Sequence, residues 1–300
     1  MRRVLVTGAT GFIGRRVANT LAKEGWSVRA AARDPGAILA PTSIERVAMR
    51  DLAQPADWSK LLDGVTHVVH LAGIAHAPGS LPDALYTRIN AEAPGELAQA
   101  ARGKVERLVF VSSVRAQAGL SADHIITEND PPQPIDAYGR SKLEGERLIA
   151  ASSVSFTALR PAVVYGKGVK GNIASLATLA KTPMPLPFAG FDNRRSLLAL
   201  ASERAANETF LVADAEPISV ADLVAAMREG LHRPPHLVKA PLGGVKRLMR
   251  SLGREAEWER ISGNFVIDAS KLMRIGWRPS VSTRDGIVKM MRAENGAMAP

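Results

Sequence analysis

The glycine pattern near the start of the chain restricts its fold more than any other feature. The segment Thr7-Gly-Ala-Thr-Gly-Phe-Ile-Gly14 directly follows the apolar run Val4-Leu5-Val6. This order predicts a strand that turns tightly into a helix, because glycine permits tight turns and close backbone approach. The N-terminus of such a helix offers unpaired N–H groups and the positive end of its dipole. We therefore expect the loop of Gly8, Gly11 and Gly14 to bind a phosphate group.

Strand-like and helix-like segments alternate as far as residue 160. Thr66–Ala72 is a continuous apolar strand of the kind that is buried on both faces, and a long helix is expected over Leu81–Arg102. The alternation predicts an α/β protein with a doubly wound, parallel Rossmann sheet. Ligands in such sheets bind beyond the carboxyl ends of the strands. Gly8, Asp51, Ala72, Ser113 and Arg160 all fall at these ends.

Three polar residues form a candidate catalytic group. Tyr138 and Lys142 are four positions apart, so they share one face of a helix. A phenol has an ordinary pKa of about 10, and a neighbouring ammonium group lowers it, which favours proton transfer near neutral pH. Ser113 would hold the substrate oxygen beside the phenol. With a nicotinamide cofactor on the glycine loop, the pattern predicts hydride transfer at the carbon that bears this oxygen.

The composition of the sequence changes after Pro161. Pro and Gly become dense through Gly171 and again over residues 183–190. A chain of 300 residues also exceeds the size of a typical single core. We therefore expect a NAD(P)-binding Rossmann domain over residues 1–161 and a smaller C-terminal substrate-binding lobe over residues 162–300. A predicted strand at Glu208–Ala213 would return the chain to the main sheet.

Composition and charge exclude several classes of function. The chain has no cysteine, which rules out disulfides, thiolate nucleophiles and Cys-based metal sites; we expect no metal. The net charge of +10 is concentrated in residues 1–33 and in the run from Lys246 to Arg254. The sequence contains no zinc module and no aromatic-rich RNA-binding motif. The basic stretches are therefore interpreted as solvated faces around a site for phosphorylated ligands, in preference to a nucleic-acid-binding surface.

The apolar runs are too short for a signal peptide or a membrane span, so we expect a cytoplasmic protein without stable membrane insertion.

These motifs resemble those of the extended short-chain dehydrogenase/reductase family, in its NAD-dependent epimerase/dehydratase branch. Within it they are similar to the UDP-glucose 4-epimerase-like and UDP-4-keto-sugar reductase subgroup. The resemblance is carried by His-Leu-Ala-Gly-Ile-Ala-His76, Phe-Val-Ser-Ser-Val-Arg115, Arg160-Pro-Ala-Val-Val-Tyr-Gly-Lys-Gly-Val-Lys-Gly-Asn172 and Asn193-Arg-Arg-Ser-Leu197. It implies an oxidoreductase or isomerase acting at C4 of a nucleotide sugar, as in polysaccharide biosynthesis, and a homodimer.

The resemblance and the strand-end argument together predict the site residues. Ser113, Tyr138 and Lys142 would be catalytic. The substrate would contact His76, Ser113, Asn172 and Arg195, the last two at the uridine diphosphate of a UDP-sugar. His70 and Asn90 are expected to pack or to make buried hydrogen bonds. The cofactor would contact Gly8, Thr10, Gly11, Phe12, Ile13, Gly14, Arg33, Asp51, Leu52, Leu71, Ala72, Gly73, Lys142 and Arg160.

The residues after the second predicted strand bear on the choice of cofactor. A carboxylate that binds the ribose 2′-hydroxyl is expected about 20 residues after the glycines. Ala32 occupies that position, Arg33 follows it, and Asp34-Pro35 is typical of a turn. Arg33 can neutralise a 2′-phosphate, so the sequence favours NADP over NAD. This segment also resembles dihydroflavonol-reductase-like NADPH carbonyl reductases, which are an alternative.

Two chemistries at C4 remain open at this stage. A 4-epimerase uses no net cofactor, whereas a 4-ketoreductase consumes one reduced cofactor in each turnover. A non-catalytic dinucleotide-sensing or assembly protein is a further alternative. It is favoured by the short interval Ala201–Ala206, where members of the family have a helix of ordinary length. That interval also predicts a shortened variant with low activity.

Overall fold

The computed structural model describes residues 2–75, 81–199 and 207–296. The described residues divide into two units. Unit 1 lies within Met1–Ala118, Glu128–Pro161 and Ser202–Phe210. Unit 2 lies within Gly119–Thr127, Ala162–Ala201 and Leu211–Pro300.

Strands alternate with helices through the first half of the chain. In chain order the strands are β1 (Arg3–Thr7), β2 (Ser27–Ala32), β3 (Glu45–Ala48), β4 (His67–His70), β5 (Arg107–Val111), β6 (Phe156–Pro161), β7 (Val163–Tyr165), β8 (Arg194–Arg195), β9 (Leu197–Ala199), β10 (Glu208–Val212) and β11 (Ile218–Ser219).

The helices differ widely in length. They are α1 (Phe12–Lys23), α2 (Ser59–Leu62), α3 (Asp83–Thr87), α4 (Ala93–Ala101), α5 (Ala137–Ala151), α6 (Asn172–Ala180), α7 (Val220–Gly230), α8 (Leu242–Ser251), α9 (Glu255–Ser262), α10 (Ser270–Arg274) and α11 (Thr283–Glu294). Within the described part of the chain, none combines the length and apolar character needed to cross a membrane.

A seven-stranded sheet organises unit 1, in the order β10-β6-β5-β4-β1-β2-β3. The pairs from β3 to β6 are all parallel. This confirms the predicted doubly wound α/β sheet. The strand order reverses between β1 and β4, and a crevice outside the carboxyl ends of such strands is where ligands bind in open α/β sheets. The glycine loop begins at that edge, directly after β1.

The core of unit 1 lies on both faces of this sheet. Alternate residues of β1 point to opposite faces. Leu5 packs in a cluster with Leu97 and Phe110, whereas Val4 and Val6 pack in another with residues of α1. Full burial of a side chain of this size contributes about 1.5–3 kcal/mol. The continuous apolar strands are therefore held in the middle layer of three.

The long helix expected over Leu81–Arg102 is interrupted. Between α3 and α4, Arg88–Glu92 form a π-helical turn in which the N–H of Ala93 donates to the carbonyl of Arg88. Pro94 follows at the start of α4, and proline has no N–H to continue the helical ladder. The predicted helix is present from Asp83 to Ala101, and its middle turn is π-helical, which the sequence analysis did not predict. Such turns are frequent at functional sites, and Asn90 lies inside this one.

Unit 2 has a separate core, built around α6, α7 and α11. Buried residues of this cluster include Ile173, Met227, Ile287 and Met291. Tyr165 joins them and donates a 2.9 Å hydrogen bond to Asp214. A Cβ at Gly286 would collide with the Tyr165 hydroxyl. Glycine is therefore needed where α11 passes this ring.

Candidate active site

The glycine loop leaves little space around its own backbone. Gly8 has a φ of +68°, a conformation that L side chains rarely adopt. A Cβ there would lie 2.7 Å from the amide nitrogen of Ala72. A Cβ at Gly14 would collide with the carbonyl oxygen of Gly8. Both positions therefore require glycine if the loop is to pass this close to the end of β4.

Helix α1 begins with N–H groups that no side chain caps. Gly11 is its N-cap, and the first turn contains no acidic residue. An uncapped helix N-terminus with a glycine-rich approach suits a phosphate group. The loop brings together six predicted cofactor contacts, Gly8, Thr10, Gly11, Phe12, Ile13 and Gly14. Their arrangement fits the pyrophosphate of a dinucleotide.

A hydrogen bond between the side chains of Thr7 and His70 connects the carboxyl ends of β1 and β4. The Thr7 hydroxyl lies 2.9 Å from His70 Nδ1 and accepts N–H bonds from Leu71 and Ala72. His70 is fully buried. Burial, with a smaller effect of the Lys142 charge, lowers the pKa of His70 to about 3. The ring is therefore neutral and packed, as the sequence predicted.

Gly73 passes between two polar side chains beyond the end of β4. A Cβ there would lie 2.7 Å from Asn90 Oδ1 and 3.6 Å from Lys142 Nζ. Asn90 accepts a 3.0 Å hydrogen bond from the Ile74 N–H and donates to the Ile74 carbonyl and to Ser141. The predicted buried hydrogen bonds of Asn90 are present. They fix the exposed Gly73 backbone beside the Lys142 ammonium group.

The structure brings Ser113 and Tyr138 together. Ser113 follows β5 and begins a short 3₁₀ turn, and its hydroxyl accepts a 3.1 Å hydrogen bond from the Arg115 N–H. Tyr138 is the second residue of α5. The hydroxyl groups of Ser113 and Tyr138 are hydrogen-bonded to each other. Two proton-bearing groups therefore meet at the carboxyl edge of the sheet.

The proton affinity of Tyr138 differs from the sequence expectation. Burial raises the pKa of its phenol, and the Asp136 carboxylate acts in the same direction. The hydrogen bond from Ser113 and the charge of Arg115 oppose this rise without cancelling it. The prediction that a neighbouring ammonium group lowers the pKa of Tyr138 was wrong for this structure. The Lys142 ammonium group contacts the Val111 carbonyl and the Phe110 ring, and it is not among the charges that shift the pKa of Tyr138.

Lys142 points into the edge of the sheet. Its Nζ donates a 2.9 Å hydrogen bond to the Val111 carbonyl and lies 4.6 Å from the centre of the Phe110 ring. Burial lowers the pKa of Lys142 to about 8, and the Glu146 carboxylate acts against this shift. The ammonium group also lies close to Gly73, which follows β4.

A buried ion pair, missed by the sequence analysis, supports this arrangement. Arg160 donates 2.9 and 2.6 Å hydrogen bonds to the carboxylate of Glu146 and a third to Gln117. The same carboxylate accepts a 2.5 Å bond from Ser112. The position of Glu146, four residues after Lys142 on α5, was the available signal. The guanidinium of Arg160 has these partners, and its contact with the cofactor stays a prediction.

Arg33 and Asp51 lie close together after β2 and β3. Arg33 Nη1 is 3.4 Å from Asp51 Oδ2, and their side chains are 75% and 52% exposed. Asp51 also accepts a turn hydrogen bond from the Ala53 N–H. Asp34 caps a short 3₁₀ turn by accepting from the Gly36 N–H, as expected of Asp-Pro. Leu52, the residue after Asp51, is buried in the unit 1 core.

Two predicted substrate contacts, Arg195 and Asn172, lie in unit 2. Arg195 donates to the Leu120 carbonyl at 3.2 Å and lies over the Phe265 ring. Asn172 is exposed at the first position of α6.

Two further predictions fall outside the described residues. One is the substrate contact of His76, and the other is the absence of a helix over residues 201–206. The described residues contain no cluster of three or more acidic or histidine side chains that could hold a metal ion.

Comparison with known proteins establishes the family. The sequence profile of the NAD dependent epimerase/dehydratase family matches residues 4–198. The chain belongs to this family. It is 30% identical to a UDP-glucose 4-epimerase of Vibrio cholerae over 97% of this chain and 95% of that protein.

Solved structures show the same fold. MoeE5 in complex with UDP-glucose and NAD aligns with a TM-score of 0.74 over 99% of this chain and 100% of that one, at 24% identity. The UDP-glucuronic acid 4-epimerase of Bacillus cereus in complex with NAD aligns with a TM-score of 0.74 over 97% and 98%, at 20% identity. At these identities the likeness supports the fold, and the ligands named are those of the relatives.

Proposed function

We propose that the protein is an NAD(P)-dependent 4-epimerase of a UDP-hexose. The observation that carries the proposal is the hydrogen-bonded hydroxyl pair of Ser113 and Tyr138. It stands at the same edge of the sheet as the glycine loop, with Lys142 between them at Gly73. The Vibrio cholerae relative, similar over almost the whole chain, supports the nucleotide-sugar substrate and favours epimerisation.

The chain's own residues would handle the proton at the C4 oxygen. A bound NAD(P) supplies the hydride acceptor and donor at C4. Ser113 would donate a hydrogen bond to the C4 oxygen, and Tyr138 would accept its proton as the carbon is oxidised and return it on reduction. The raised pKa means that the Tyr138 phenol is protonated near neutral pH, which is the form that donates to a C4 ketone. Before the phenol can accept the proton of a C4 hydroxyl, it must release its own proton to solvent.

The substrate contacts of His76, Asn172 and Arg195 are part of the same proposal. The guanidinium group of Arg195 suits bidentate recognition of a diphosphate. Its support in this chain is the family resemblance and the placement of Arg195 over Phe265.

Proton NMR of a UDP-hexose incubated with the purified protein tests the proposal. The arms are UDP-glucose and UDP-N-acetylglucosamine, each with a catalytic amount of NAD or NADP. Inversion at C4 without net cofactor consumption is the expected result. Tyr138→Phe should lower kcat by about 10²-fold or more, since proton transfer by a positioned group contributes that much, while cofactor binding is retained. An unchanged kcat in Tyr138→Phe would overturn the assigned role.

A 4-ketoreductase is the second candidate, favoured by Arg33. If the cofactor is NADPH and is oxidised in proportion to a UDP-4-keto sugar, the reductase replaces the epimerase. No reaction in any arm would instead favour a dinucleotide-sensing protein.

The preference for NADP remains a proposal that rests on Arg33. Ala32 stands where a carboxylate that binds the ribose 2′-hydroxyl would be expected. The Asp34 carboxylate accepts the hydrogen bond that caps its own turn. Asp51 opposes the preference because its carboxylate partly neutralises the guanidinium. Arg33→Ala should weaken NADPH binding about tenfold and leave NADH binding within about twofold, as expected for the loss of one charge-assisted contact. Equal losses for both cofactors would contradict it.

A further inference from the structure

An ion pair ties the turn after β5 to the first turn of α5. Arg115 Nη2 lies 2.5 Å from Asp136 Oδ2. Arg115 is two residues after Ser113, and Asp136 is two residues before Tyr138. The pair therefore connects the two segments that carry the hydroxyl groups of the candidate active site. We call it the Arg115–Asp136 joint.

Both members of the joint are also anchored to backbone. Asp136 is the N-cap of α5, and its other carboxylate oxygen accepts a 2.8 Å hydrogen bond from the Gly139 N–H. The Arg115 N–H donates to the Ser113 hydroxyl oxygen at 3.1 Å. Burial raises the pKa of Asp136, but hydrogen bonds from Gly139 and Arg115 outweigh it, so that the pKa is lowered overall. The carboxylate is therefore ionised at neutral pH.

The two segments touch at backbone level beside this pair. A Cβ at Gly139 would collide with the carbonyl oxygen of Arg115. Glycine directly after Tyr138 therefore lets α5 approach the turn closely. The Arg115 side chain is 17% exposed and the Asp136 side chain 42%, so the arginine charge is the more shielded from solvent of the two.

We propose that the Arg115–Asp136 joint is a positioning device that holds the Ser113 hydroxyl against the Tyr138 phenol. Its catalytic consequence rests on the proposed function. Ser113 and Tyr138 lie on different elements, and a misplacement of about 1 Å at a reacting group can cost about 10²-fold in rate. Neither Arg115 nor Asp136 needs to touch the substrate for this role.

Two variants that each remove one charge of the joint distinguish an effect of charge from an effect of geometry. The groups that face the Tyr138 phenol are Ser113, Asp136, Arg115 and Tyr86. Asp136 raises the pKa of the phenol and Arg115 lowers it. Neutralising one member or the other would therefore shift that pKa in opposite directions. Loss of the ion pair would free the turn after β5 in both variants, so their effects on geometry should be the same.

The test compares Arg115→Gln and Asp136→Asn with a matched control. Asn is itself a good N-cap, so Asp136→Asn removes the charge and keeps the cap. The control is Arg140→Gln, because Arg140 lies on the same helix and pairs with Asp83 at 2.8 Å, away from Ser113. The readouts are kcat and KM, the melting temperature, and amide hydrogen exchange of residues 113–117.

The joint predicts that Arg115→Gln and Asp136→Asn both lower kcat by about tenfold or more, with KM changed less than kcat. Both should accelerate hydrogen exchange over residues 113–117. Arg140→Gln should leave both readouts within about twofold, and Arg115→Lys should restore part of kcat, because it keeps the charge without the planar fork. Opposite changes of kcat in the two variants would overturn the proposal in favour of charge alone.

The exchange measurement also separates this inference from the proposed function. If the wild-type protein converts no UDP-hexose, the proposed function fails. Faster exchange in the two variants with an unchanged control would still support the joint. Unchanged exchange over residues 113–117 in both variants would overturn it, whatever the activity.

Discussion

Burial sets the proton affinities of Tyr138 and Lys142 at the carboxyl edge of the sheet. It raises the pKa of the Tyr138 phenol and lowers that of Lys142 to about 8. Both shifts disfavour the charged form, as expected for groups taken out of water. Ser113 and Arg115 counteract the first shift and Glu146 counteracts the second. The chemistry at this edge therefore depends on partners that surround the catalytic group.

The lowered pKa of Lys142 predicts a pH dependence of stability. Below pH 8 the group is protonated in both the folded and the unfolded state. Between about 8 and its ordinary pKa of 10.5, the unfolded state binds more protons, so the free energy of unfolding should rise with pH. The gain is at most about 3 kcal/mol. Denaturant unfolding of wild type and Lys142→Met at pH 7.5 and 9.5 measures it; a rise of equal size in both proteins would refute the assignment.

At the scale of elements, α5 is held close to the π-helical turn by a small residue. A Cβ at Gly145 would collide with the carbonyl oxygen of Asn90 and press on the Phe110 ring. The π-helical turn places that carbonyl against α5, and Pro94, without an N–H, cannot donate to it. Close packing of α5 in turn fixes the position of Lys142, three residues earlier.

Gly145→Ala should therefore destabilise the protein by about 1–3 kcal/mol, the ordinary cost of overpacking. Gly243→Ala is the matched control, since Gly243 also lies in a helix and a Cβ there meets open space. It should stabilise by about 0.5 kcal/mol, because alanine is the better helix former. Chemical denaturation of both variants gives the comparison. Equal changes of stability in the two variants would show that the close approach at Gly145 is absent.

Particular elements show how far the sequence predicts this fold. Apolar runs and glycine spacing predict β1, α1 and the parallel sheet, because period and turn chemistry are local properties. The same properties place Ser113 after β5, Tyr138 in the first turn of α5 and Lys142 one turn later on that helix. The π-helical turn was missed, since its cause is one absent N–H inside a regular pattern. Glu146 and Asp136 were missed because their partners, Arg160 and Arg115, are distant in sequence.

At the scale of the whole molecule, each unit contains charged groups that fix its own loops. In unit 2, Arg228 is buried and donates hydrogen bonds to the carbonyl oxygens of Thr182, Met184 and Pro235. No carboxylate pairs with it in the described part of the chain. A guanidinium, with five donors, can satisfy several carbonyls at once. It thereby connects the segments that follow α6 and α7.

Arg228→Leu should lower the free energy of unfolding by about 3 kcal/mol or more, since each buried carbonyl left without a partner costs about 1–3 kcal/mol. Arg233→Leu is the control, because Arg233 is exposed and donates to the Lys181 carbonyl nearby. It should change stability by less than about 1 kcal/mol. Thermal and denaturant unfolding of the two variants test this; equal effects would remove the role given to burial.

The most direct test of the proposed chemistry follows the hydrogen at C4. UDP-glucose carrying deuterium at C4 is incubated with the protein in ordinary water, and the 4-epimer is analysed by NMR and mass spectrometry. Hydride transfer and return within one active site predict that deuterium stays at C4 of the product, and that Tyr138→Phe slows its appearance by about 10²-fold or more. Replacement of the deuterium by solvent hydrogen would contradict the account, because it would mean that C4 loses a proton to water instead of a hydride to a bound cofactor.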